Sequence, residues 1–151
     1  MKKALMVIAI VAIVAIAGSL IYYFVFFKPG MERAEVQNNE AKEYLSEYNA
    51  IRQEFIDKLN LYIGGKDKDK ILSELQGIRR KLMRLSIPED YNKYNDVKSS
   101  CLNAMNECID VLETARIYDA SGTKVDDNKI KELADKLIKN KGILESLSIN
   151  D

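Results

Sequence analysis

Two cysteines, a short run of arginines, a knot of acidic side chains and a set of tyrosines are the residues of this chain with reactive or recognising chemistry. Cys101 and Cys108 come first, because a thiolate is both a nucleophile and a soft metal ligand. Neither role finds its partner. The chain has no histidine, so the usual base near neutral pH and the commonest metal ligand are both missing. Two thiolates alone supply half of a zinc shell. On one helix the two cysteines stand about 10.5 Å apart in rise, beyond the roughly 7 Å limit for a disulfide. They are expected to serve as small apolar side chains, and no catalytic, cofactor or metal site is assigned. The chain is read as not an enzyme.

Arg79, Arg80, Lys81 and Arg84 form the densest basic cluster, suited to an acidic partner or to anionic lipid, and equally to a solvated helix face with ion pairs. Asp119, Ser121, Asp126, Asp127 and Asn128 surround Gly122. Their spacing does not fit an EF-hand loop, because Lys124 takes the glycine position and Ile130 takes the position of the last ligand. Turn and capping chemistry is the expected role. Tyr44, Tyr48, Tyr62, Tyr91 and Tyr94 each offer a ring to bury and a hydroxyl to present. Together with Arg79, Arg80 and Arg84 they are the candidate partner or ligand surface.

These residues sit on helical patterns. From Ala41 the apolar positions Tyr44, Tyr48, Ile51, Phe55, Leu59 and Tyr62 step by three and four, which predicts one stripe on a helix ending at Gly64-Gly65. Ile71, Leu75, Ile78, Leu82 and Leu85 predict a second helix. Ser86, Pro88 and Glu89 resemble the start of a third, with Tyr94, Val97, Cys101, Met105, Cys108, Leu112 and Ala115 on its inner face. A turn is expected from Tyr118 to Asp127. Asp126 or Asp127 then caps a fourth helix, whose stripe is Ile130, Leu133, Leu137, Leu144 and Leu147. Short connections favour antiparallel neighbours. The fold class is therefore all-α, an N-terminal transmembrane helix followed by an antiparallel up-down four-helix bundle.

The transmembrane expectation rests on Ala4 to Phe27, 24 consecutive uncharged residues. As a helix they span about 36 Å, enough to cross a hydrocarbon core of about 30 Å. Tyr22, Tyr23, Phe24, Phe26 and Phe27 would form an interfacial belt, and Lys28-Pro29-Gly30 is expected to stop or kink the helix. Cleavage after Ala15-Ile16-Ala17 would leave Ser19 to Phe27 as an apolar terminus, so the segment is read as an uncleaved signal anchor. The expected organisation is a basic tail at 1–3, the anchor at 4–27, a polar stalk at 28–40 and the bundle at 41–151. The short tail points to an extracytoplasmic bundle on a single-pass cell-membrane protein. Setting aside Lys2, Lys3 and Lys28 leaves 20 basic against 23 acidic residues. That balance excludes nucleic-acid binding by bulk electrostatics. The expected function is a non-enzymatic, membrane-tethered interaction module. Its partners are the bilayer, through 4–27, and a protein. The alternative is a ligand-binding or sensory bundle with a tyrosine-lined pocket.

Overall fold

The computed structural model describes residues 28–65, 67–89, 91–122 and 124–149. They form four helices: α1 (Lys28–Ile63), α2 (Lys68–Arg84), α3 (Tyr94–Ser121) and α4 (Asp127–Ser146). Among the described residues there is no strand. The proposed anchor at 4–27 lies outside the described residues, and among those described no helix is long and apolar enough to cross a membrane. Lys28, Pro29 and Gly30, expected to stop or kink the chain, are themselves helical. The chain divides into two compact units, one up to Glu40 and one from Ala41 onward. In the first, the side chains from Ala34 to Glu40 are exposed. The second holds the hydrophobic core.

Each helix end has a local cause. Gly65, at φ 80°, takes the left-handed turn that closes α1, a conformation glycine adopts without steric cost. Asp67 caps α2 by accepting from the Lys70 amide. The Lys98 ammonium donates to the carbonyls of Met83 and Leu85 at the other end of α2. Burial there pulls the Lys98 pKa below the usual lysine value. The third helix begins at Tyr94, later than Ser86 and Glu89 implied. The stretch after Leu85 is instead a turn in which the Tyr91 amide donates to the Pro88 carbonyl. Proline biases its predecessor toward extended backbone, and here Ile87 is non-helical. The far end of α3 overruns the expected turn at Tyr118, continuing to Ser121 before Gly122 turns left-handed at φ 62°. Asp126, not Asp127, caps α4 through the Asn128 amide.

Cross-helix bonds set the topology. Lys58–Glu74 and Lys81–Glu54 join α1 to α2 with residue numbers running in opposite directions. Arg116–Asp69 and the Gln76 bond to Glu113 do the same for α2 and α3. Arg52 bonding Leu144, and Tyr48 bonding Leu147, make α1 and α4 antiparallel. Tyr44 stacking on Tyr94 links α1 to α3 at one end of the core. Adjacent helices thus run in alternating directions around a common core. Tyr48, Phe55, Leu59, Leu75, Leu82, Met105 and Leu144 are fully buried at its centre, and the stripe expected on α1 is buried throughout from Ala41 to Tyr62.

The fourth helix departs from its expected stripe. Leu144 is enclosed, whereas Leu133 and Leu137 are only half-buried and Ile130 is 54% exposed. Register supplies the reason. Following the Arg52–Leu144 pairing along both helices brings Ile63, the end of α1, level with about Leu133, since each residue adds about 1.5 Å. The first turns of α4 have no stretch of α1 opposite them.

Candidate functional site

The five candidate tyrosines separate into two groups. Tyr44, Tyr48, Tyr91 and Tyr94 form a continuous stack. Ring centroids are 6.2 Å apart for Tyr44–Tyr48, 5.6 Å for Tyr44–Tyr94 and 5.7 Å for Tyr91–Tyr94. Lys93 lies over the Tyr94 ring at 5.0 Å, close enough for a cation–π contact. These rings pack on one another. Burial pushes the Tyr44 phenol up to about 12, helped by Cys101 and Tyr94, and among the described residues its hydroxyl has no hydrogen-bond partner. Tyr62 stands apart, 14 residues along α1 from Tyr48, at the other end of the core.

Beside the stack, α1 grips the end of α4. The Tyr48 hydroxyl donates to the Leu147 carbonyl at 3.1 Å. The Asn49 amide nitrogen donates to the Ile149 carbonyl at 2.7 Å, and its oxygen accepts from the Ile149 amide at 3.2 Å. Arg52, 7% exposed, donates to the Leu144 carbonyl at 2.8 Å. The last carbonyls of a helix lack internal partners and carry its negative dipole end. A buried guanidinium there meets partial negative charge without a carboxylate. Nothing in the tyrosine spacing announced this clamp, because its partners at the end of α4 are backbone atoms.

Cys101 and Cys108 are free thiols and fully buried. Desolvation raises both, with Cys108 pushed up to about 12, while Tyr48 and Arg52 only moderate the rise at Cys101. A thiol held neutral is a poor nucleophile. In the basic cluster, Arg79 donates to Asn106 at 2.8 Å and Lys81 pairs with Glu54 at 2.9 Å, while Arg84 is exposed and Arg80 lies on the rim of a polar cleft. That cleft, of about 360 Å³, runs between Arg79 and Arg80 on one side and Asp110 and Glu113 on the other. Its mixed charge favours neither sign. Of the acidic knot, Asp119 faces Lys68 and Asp126 caps α4. Among the described residues no three Cys, Asp or Glu side chains are grouped to hold a metal.

A further concave feature lies where α4 outruns α1. It is a groove of about 400 Å³. Tyr62 and Ile63 close one end, Val111, Leu112 and Ala115 of α3 form a wall, and Leu133, Ala134 and Leu137 of α4 form the other. Lys68 and Asp119 sit at its edge, paired at 3.5 Å, with Asp69–Arg116 nearby at 3.0 Å. Burial raises the Tyr62 phenol above the ordinary tyrosine value, while Lys68 and Arg116 act against the rise and Asp119 and Asp69 add to it. The groove is apolar, half-open and ringed by paired charges. Of the candidate surface residues only Tyr62 lines it. The chain matches no protein-family model, no curated protein and no solved structure.

Proposed function

We propose that the chain is a non-enzymatic, membrane-tethered helical module that binds a protein partner, held at the extracytoplasmic face of the cell membrane by residues 4–27. The carrying observation is the apolar groove between α3 and α4. Its walls are mostly apolar side chains of α3 and α4, suited to burial against a partner, and the Lys68 and Asp119 on its edge are paired with each other. The tether is supported by the uncharged run from Ala4 to Phe27, and the neutral, enclosed thiols favour a binding role over a chemical one.

A second reading, a ligand-binding bundle, draws on the groove volume of about 400 Å³, which falls in the range of small-molecule sites. One experiment separates the two. A photo-crosslinking side chain replaces Ala134 in the full-length chain, expressed in cells and irradiated in intact membranes. One discrete polypeptide adduct, lost on adding Leu133→Asp, is the expected result. Adducts to lipid or small molecules alone would favour the second reading, and no adduct at all would remove both.

A further inference from the structure

The fourth helix ends at Ser146, yet the chain after it does not leave the core. Leu147 and Ile149 are half-buried against it while Ser148 is exposed, the in-and-out alternation of an extended segment. Tyr48 bonds the Leu147 carbonyl, and the Asn49 side chain pairs with both backbone groups of Ile149. Among the described residues, the other hydrogen bond of this segment is the Leu147 amide closing α4 on Ile143. The Arg52 bond to Leu144 lies inside the helix. Residues 147–149 can therefore detach by losing the Tyr48 and Asn49 bonds, with α4 still wound and still held by Arg52.

A thiol lies directly beneath. The Tyr48 hydroxyl that donates to Leu147 is also hydrogen-bonded to Cys101, which is fully buried. One hydroxyl group thus separates the segment from the sulfur.

The closed arrangement carries a penalty that favours its opening. Arg52 Nε and the Tyr44 hydroxyl are buried without a hydrogen-bond partner among the described residues, and both groups interact electrostatically with Cys101. Donors kept from water in this way are costly, and water entering around the thiol offsets part of what the broken bonds lose. The thiol changes character as well. Burial raises Cys101 above the ordinary cysteine value, while the Tyr48 bond and the Arg52 charge act against the rise. Hydration removes the first influence and leaves the guanidinium, and a thiol beside a cation ionises more readily and becomes a nucleophile.

We infer that residues 147–149 form a strap over Cys101, and that local detachment of this strap switches the thiol from inert to reactive while the bundle stays folded. The test alkylates the full chain in nanodiscs with iodoacetamide, in a Cys108→Ala background so that Cys101 alone is read by mass spectrometry. The thiolate sulfur bonds the methylene carbon, iodide leaves with the electron pair, and the thiol proton has passed to buffer.

Between 0 and about 1 M urea the labelling rate should rise far less steeply than global unfolding does, because a local opening exposes little surface. Asn49→Ala removes both bonds to Ile149 and should speed labelling about tenfold. Ile71→Val, a core change of comparable cost, lies on α2 close to Asp69, which pairs with Arg116 toward the far end of α3. It should leave the rate within about twofold, since local opening is independent of distant packing. Labelling that follows the slope of global unfolding, or equal acceleration by both substitutions, would mean that the thiol is reached only by unfolding the whole bundle, and would overturn the inference. An unchanged rate in Asn49→Ala, or no labelling of either chain, would do the same.

Discussion

Tyr44 is 3% exposed and its hydroxyl has no partner among the described residues. A buried polar group without a hydrogen bond costs about 1–3 kcal/mol. Tyr44→Phe should therefore raise stability at neutral pH by about 1 kcal/mol, seen as a higher denaturant midpoint. The same residue predicts a pH effect. Its folded pKa, about 12, exceeds the ordinary value of 10.0. The neutral phenol is thus the form that favours folding. Its contribution is complete below the unfolded value and disappears as pH climbs through the folded one. Wild-type stability should fall between pH 10 and about 12, and Tyr44→Phe should blunt that fall. Identical alkaline curves for the two proteins would contradict this. At Asn49 the opposite result is expected. Asn49→Ala removes both bonds to Ile149 and should lower stability by about 1–2 kcal/mol. Burial of the tyrosine stripe was legible from its three-and-four spacing. The bonds to Leu144, Leu147 and Ile149 were not, because every residue presents the same carbonyl and only the folded register selects which are met.

At the scale of elements, α4 has one firm half and one loose half. Leu144 is enclosed in the core, while Leu133 has the half-covered groove on one side. Leu144→Ala should cost about 2–5 kcal/mol, and Leu133→Ala about 1 kcal/mol. Amide exchange should run faster in the turns after Asp127 than beside Leu144, because local opening follows local burial. Equal protection along the helix would refute this division. The sequence pattern treated Ile130, Leu133 and Leu144 as one stripe, since periodicity reports which face a residue shares and not how far the neighbouring helix extends. The third helix shows a related limit. Ser86 and Glu89 have the spacing of a helix start, but Pro88 lies in a turn that returns Tyr91 to the stack. The stops at Gly65 and Gly122 were plainer, as a left-handed turn strongly favours glycine.

For the molecule as a whole, the four-helix architecture was readable because its loops are short and its stripes long. The groove was hidden, since it arises from a difference in where α1 and α4 end. The proposed tether makes its own prediction: full-length protein should sediment with membranes, and a chain lacking residues 1–27 should remain in the supernatant. A soluble full-length chain would remove the tether. The clamp has a further consequence for how the protein is made. Tyr48, Asn49 and Arg52 bond partners 99, 100 and 92 residues further on. At ribosomal rates of about 5–20 residues per second, α1 waits roughly 5–20 s for that grip to become available. Through that interval its guanidinium and tyrosines face whatever the nascent chain meets first, so chaperone dependence should concentrate there.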